Sequence, residues 1–103
     1  MKERVNINAA YVPSDDIVAR DIEGELIIVP LVAGIGDMED ELFTLNETGR
    51  AIWDKLDGKR SLKNVIMELL LEYDATEDVI ERDVLGLVEE LLKRRMLIEV
   101  SKN

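Results

Sequence analysis

The stretch that decides the fold lies near the middle of the chain and reads Leu45-Asn46-Glu47-Thr48-Gly49-Arg50-Ala51-Ile52-Trp53-Asp54-Lys55-Leu56-Asp57-Gly58. Asn46 is a favourable N-cap residue, so a helix is predicted to begin after it, and Asp57-Gly58 is predicted to stop it. Gly49 lies early in this helix, where glycine costs about 1 kcal/mol relative to alanine, which indicates close approach by another element. The single tryptophan, Trp53, falls on the apolar face. The stretch therefore predicts a capped helix whose tryptophan belongs to the core rather than to a contact surface.

The chain before this helix has the pattern of β-strands. Residues 17–22 and 26–29 are rich in β-branched side chains, and Glu23-Gly24 between them is typical of a hairpin turn. Residues 34–41 form a predicted loop that carries an acidic run, and residues 42–45 read as a short third strand. The acidic run either belongs to a solvated loop or attracts basic residues of a ligand.

The chain after it has helical periodicity. Ser61 is the predicted N-cap of a second helix, and Thr76 is the predicted N-cap of a third helix that runs to about Arg95. Residues 97–100 are either a terminal strand or a tail packed on the core. The order β-β-β-α-α-α predicts an α+β fold, winged-helix-like, with a three-stranded antiparallel sheet followed by three helices.

Length and composition limit what the domain does. A chain of 103 residues with 47% hydrophobic and 35% charged residues fits one folded domain. We assign residues 1–14, which have weak periodicity, to an N-terminal arm and residues 15–103 to that domain. The chain has neither cysteine nor histidine, which removes most enzyme mechanisms and any thiolate or imidazole metal site, and we expect no cofactor. A net charge of -10 disfavours nucleic acid, and no apolar run is long enough for a membrane span, so a cytoplasmic protein is expected.

At the residues quoted above, the sequence resembles the PqqD-like family. The family pattern is Leu-Asn-x-Thr at a strand-to-helix junction, then a large apolar residue in the helix, then Asp-Gly. The resemblance extends from about Val18 to Ile98, and its motifs here are Leu45-Asn46-Glu47-Thr48, Ile52-Trp53, Asp57-Gly58, Ser61-Leu62, Glu68-Leu69 to Tyr73, and Asp83-Val84 with Leu87 and Leu91.

The resemblance implies a function without catalysis. Such domains resemble the recognition elements of ribosomally made, post-translationally modified peptides. A leader peptide adds as a strand to the edge of the third strand and lies in the groove beside the third helix. The implied partners are a precursor peptide and a radical-SAM maturase or other peptide-modifying enzyme. The peptide-binding residues that we expect are Leu42, Phe43, Thr44, Leu45, Leu85, Val88 and Leu92.

The third helix offers a physical argument for a groove. Its apolar residues span an arc of about 180°, which is wider than the ~100° that packing on one core requires. The extra flank, which contains Leu85, Leu92 and Met96, is either a groove wall or is covered by the arm, the tail or a second copy of the chain. A homodimer is therefore an open alternative.

Two other functions compete with peptide capture. A winged-helix transcription regulator would need a basic recognition helix, but the third helix is acidic. A structural subunit docked permanently on a partner enzyme would use the same edge strand and apolar flank. Asp57 and Asp83 are not assigned catalytic roles, because capping or ion pairing accounts for each.

Overall fold

A computed structural model describes residues 5–31 and 43–100 of the chain. Its elements in chain order are β1 (Ala10–Pro13), β2 (Ile17–Ile22), β3 (Glu25–Pro30), β4 (Phe43–Leu45), α1 (Glu47–Asp54), α2 (Leu62–Glu72), α3 (Glu77–Lys93) and β5 (Leu97–Val100). Strands β2, β3 and β4 form an antiparallel sheet in that order, and β1 pairs with β5 in a second, two-stranded sheet. The predicted α+β fold, with a three-stranded antiparallel sheet and three helices, is confirmed.

The β2–β3 hairpin turns through the two residues that the sequence indicated. Glu23 and Gly24 both have positive φ, at 52° and 87°, as a type I′ turn requires. This turn matches the right-handed twist of the strands, so Ile22 pairs directly with Glu25. Pro30 is the last residue of β3, where its missing amide interrupts little of the ladder.

Residues 5–14, which belong to the N-terminal arm assigned from the sequence, are held by the fold. Residues 10–13 form β1, and the side chain of Tyr11 is fully buried. The carbonyls of Ala9 and Ile7 accept hydrogen bonds, at 3.0 and 2.8 Å, from the amides of Leu62 and Lys63. These are amides at the start of α2, which have no acceptor within the helix. The segment therefore caps α2 as well as pairing with β5.

Each of the three helices begins directly after the N-cap residue that was predicted from the sequence. Each cap side chain accepts a hydrogen bond from the amide three positions later, at 2.8, 3.2 and 3.4 Å: Asn46 from Gly49, Ser61 from Asn64, and Thr76 from Val79. The helix ends differ slightly from the prediction, because α1 ends at Asp54 and α3 at Lys93. Shifts of one or two residues are usual at frayed helix ends.

The quoted stretch supports the core, as its pattern indicated. Trp53 is buried. A Cβ added at Gly49 would lie 3.2 Å from Cδ2 of Leu45, so this glycine does allow β4 and α1 to approach closely. Gly58 has φ 78°, and a Cβ there would lie 3.2 Å from Cγ2 of Val100. The absence of a side chain at Gly58 therefore lets the backbone of the Asp-Gly motif pack closely against the β1–β5 sheet.

Part of the wide apolar flank after α3 is covered within the chain. Met96 is fully buried, and its carbonyl accepts a hydrogen bond of 3.0 Å from the amide of Ser14. Leu85 and Leu92 are half-buried and pack against the core. Met96 is thus closed off from solvent within the chain, and Leu85 and Leu92 are only partly exposed.

Candidate functional site

The outer edge of β4 is the first component of the site. Within residues 5–31 and 43–100, β4 pairs on one side with β3 and has no strand on its other side. Its register on β3 places Phe43 opposite Ile28, Thr44 opposite Ile27, and Leu45 opposite Leu26. An edge strand presents backbone amides and carbonyls that an extended peptide can pair with. The predicted third strand is therefore an edge strand.

A cavity of about 410 Å³ lies beside this edge. Its lining residues come from β4, from the start of α1 with its N-cap, and from α3. Its lining consists of Phe43, Thr44, Leu45, Asn46, Thr48, Gly49, Ile52, Asp83 and Leu87. We call this cavity the edge groove. A strand added to β4 would have its side chains on one face directed into this groove, because side chains alternate between the faces of a sheet.

A second cavity of about 260 Å³ adjoins the edge groove. Three residues line both of them: Thr48, Ile52 and Asp83. The others come from the end of α2, the connection to α3 and the first turns of α3: Leu69, Tyr73, Asp74, Ala75, Val79, Ile80 and Val84. We call it the α2–α3 pocket. The two cavities therefore lie next to each other along one flank of α3.

The predicted strand residues are placed at the groove with different exposures. Thr44 is exposed, Phe43 is half-buried, and both line the edge groove. Leu45 also lines it, but its side chain is only 3% exposed and serves chiefly the core. Leu42 lies outside the described residues, as does the acidic run of residues 34–41.

The predicted residues of the third helix are not at this groove. Val88 is fully buried in the core. Leu85 and Leu92 lie about 160° and about 140° around the helix from Leu87, at roughly 100° per residue. They therefore belong to the opposite flank of α3 from the edge groove. Of the residues of α3, Asp83 and Leu87 line the edge groove, and Leu85, Val88 and Leu92 do not.

Sequence reasoning did not assign Asp83 and Leu87 to the site. Both belong to the family pattern, and their spacing of four residues puts them on one face of the helix. Leu87 is half-buried, and its side chain packs against the core as well as lining the groove. The missing signal was the orientation of α3 relative to β4, which depends on tertiary packing.

Phe43, one of the residues that line the edge groove, is in contact with an arginine side chain of the ion pair Arg94–Glu90. The guanidinium of Arg94 lies over the ring of Phe43, 4.9 Å from its centroid, and Nε of Arg94 contacts Oε2 of Glu90 at 2.7 Å. Such stacking of a cation on an aromatic face is favourable by ~0.5–1 kcal/mol at exposed sites. It fixes Phe43 at the rim of the groove. The charged residues in the lining of the two cavities are both acidic, Asp74 and Asp83.

Two kinds of feature are absent from residues 5–31 and 43–100. They contain no group of three or more acidic side chains arranged to hold a metal ion. Their helices are also too short or too polar to cross a membrane.

Fold and groove together define a class of protein, namely small winged-helix-like α+β domains with an open strand edge beside a helix groove. Residues 25–97 match the family described as "Coenzyme PQQ synthesis protein D (PqqD)", and the chain belongs to that family. A curated relative from Gluconobacter oxydans (strain 621H), "PqqA binding protein", is 36% identical over 58 residues. That match covers 56% of this chain and 60% of the relative, so the chain spans about 60% of the relative's length.

Two solved structures share the fold. One is "TbiB1 in Complex with the TbiA(beta) Leader Peptide", with a TM-score of 0.69 and 21% identity over 88% of this chain and 99% of that chain. The other is "Lasso peptide synthetase B1 complexed with the leader peptide", with a TM-score of 0.71 and 22% identity over 87% of this chain and 99% of that chain.

Proposed function

We propose that this chain is a peptide-binding adaptor that captures the leader of a ribosomally made precursor peptide by β-strand addition to β4. The observation that carries the proposal is the open edge of β4 beside the edge groove. Membership of the PqqD family supports it, as do a relative named for binding PqqA and two structures of the same fold that hold leader peptides.

Affinity and specificity would come from different parts of the site. Main-chain hydrogen bonds to β4 make little demand on the peptide sequence, so they supply affinity for extended peptides in general. Alternate side chains of the added strand would enter the edge groove and contact Phe43 and Leu87, while Thr44, whose side chain lies on the other face of β4, would contribute its backbone. The side chain of Leu45 supports this wall from the core.

The adaptor would present its peptide to a modifying enzyme such as a radical-SAM maturase. We assign the chemistry to that enzyme and expect no catalysis by this chain and a cytoplasmic location. Co-purification of enzyme and chain without any leader would instead favour a permanently docked subunit. The acidic surface of α3, with Glu77, Asp78 and Glu81, gives a transcription regulator no support.

The test is a titration of isotope-labelled chain with synthetic PqqA and with the short peptides encoded beside the gene. We expect the amides of residues 43–45 and the methyl groups of Leu87 to shift together with one of these peptides. If none of them shifts either set of signals at high micromolar concentration, the proposal is wrong. Dimerisation through β4 would occupy the same edge, and it would appear as a concentration-dependent shift without peptide.

A further inference from the structure

The α2–α3 pocket combines an apolar wall with unpaired carboxylates. Its wall includes Val79, which is 43% exposed, and Tyr73, which is 40% exposed, so the apolar surface is open to a ligand. Both charged residues in its lining, Asp74 and Asp83, are exposed. Across residues 5–31 and 43–100, neither carboxylate forms an ion pair or a side-chain hydrogen bond.

The pocket is large enough for one long side chain and small for a drug-sized ligand. Pockets for drug-sized ligands have volumes of about 300–1,000 Å³, so a cavity of 260 Å³ is somewhat smaller than that class. It adjoins the edge groove, with which it shares three lining residues. A peptide that extends beyond β4 along the groove can therefore place one side chain in it.

The chemistry of the lining selects a cation. A neutral apolar side chain would pack against the apolar residues of the pocket. It would also displace water from the carboxylate of Asp83 without supplying a hydrogen-bond partner, which is unfavourable. An acidic side chain would be repelled by both carboxylates. Lysine and arginine have an aliphatic stem that lies along apolar surface and a charged head that stays at the polar rim. They satisfy both parts of this lining.

From this geometry we infer that the α2–α3 pocket is a subsite for a lysine or arginine side chain of the bound peptide, with Asp83 as the specificity-determining residue. The inference rests on the proposed function, because it takes the occupant to be part of the peptide held at β4. It adds a requirement on the peptide sequence that strand addition alone does not make.

The test uses capped amino-acid amides, so it does not depend on knowing the peptide. N-acetyl-lysine amide, N-acetyl-norleucine amide and N-acetyl-glutamate amide are titrated at millimolar concentrations into the methyl-labelled full chain. We expect the lysine amide to shift the methyl groups of Val79, Ile80 and Val84. Its dissociation constant should be about fivefold below that of the norleucine amide, which is the upper range for an exposed ion pair.

Two matched variants assign the effect. Asp83→Asn should reduce the preference for the lysine amide, since only Asp74 then remains, and Asp78→Asn should leave it unchanged, because Asp78 is exposed on the same helix and does not line either cavity. Equal affinity for norleucine and lysine amides, or a preference that Asp83→Asn leaves unchanged, would overturn the inference. Neither result bears on the amide shifts of residues 43–45 with a whole peptide, so the proposed function is judged separately.

Discussion

A negative charge introduced on one flank of α3 or on the other tests which flank contacts the bound peptide. One flank carries Leu87 and lines the edge groove, and the opposite flank carries Leu92. The paired substitutions are Leu87→Glu and Leu92→Glu. Both leucines are half-buried, both pack against the core, and both lie in the same helix, so each substitution should lower the stability of the fold by a similar amount. Only Leu87 lines the edge groove. The pair therefore isolates the effect on peptide binding.

The magnitude follows from what surrounds the introduced carboxylate. A peptide in the edge groove would cover it, and Arg94, the cation beside Phe43, already forms an ion pair with Glu90. Leaving a covered polar group without a partner costs about 1–3 kcal/mol. We therefore expect Leu87→Glu to weaken leader binding about 5- to 150-fold. Leu92→Glu should change it by less than about twofold, since that position is about 140° away around the helix.

The assay is isothermal titration of each variant with the peptide that binds the unmodified chain, after circular dichroism has shown that both variants are folded. An equal or greater loss of affinity in Leu92→Glu would refute the placement of the peptide on the Leu87 flank. It would return Leu85 and Leu92 to the site, as the sequence first indicated.

Three predictions concern the scaffold. Gly58→Ala should lower the free energy of unfolding by about 1–2 kcal/mol, because the residue has φ 78°; an unchanged denaturant midpoint would contradict this. Glu23→Asn should raise the same free energy by about 0.5–1 kcal/mol, since asparagine tolerates positive φ better; a lower melting temperature would count against the turn assignment. The pKa of Asp21 is lowered by its hydrogen bond to Arg50, so its contribution to stability is present above a pH of about 4 and is lost as the pH falls through the folded-state pKa. The stability difference between the unmodified chain and Asp21→Asn should therefore shrink below that pH, and a constant difference from pH 6 to pH 2.5 would disprove the pairing.

Local signals predicted most of the fold because they act within a few residues. The side chains of Asn46, Ser61 and Thr76 each cap an amide three positions away, and Glu23-Gly24 turns within one hairpin. Strand β1 was missed for the opposite reason. Its partner, β5, lies at the other end of the chain, and the few buried residues near it do not form a period that identifies a strand.

The site was predicted from the sequence only in part. The edge strand followed from the order of the elements, and residues 43–45 are at the groove. Periodicity gave the width of the apolar arc on α3, but it cannot tell which side of the arc faces β4. That orientation follows from how α3 packs on α1, α2 and β5, and it places Asp83 and Leu87 at the groove while Val88 is fully buried.

The most direct test of the central claim is to observe the added strand itself. An isotope-filtered nuclear Overhauser experiment on the chain bound to its leader would detect Hα and amide contacts between the peptide and residues 43–45. The account predicts a regular ladder of such contacts along the free edge of β4. A bound leader that shows its contacts to the β1–β5 sheet or to the exposed face of α2, with no ladder on β4, would contradict it.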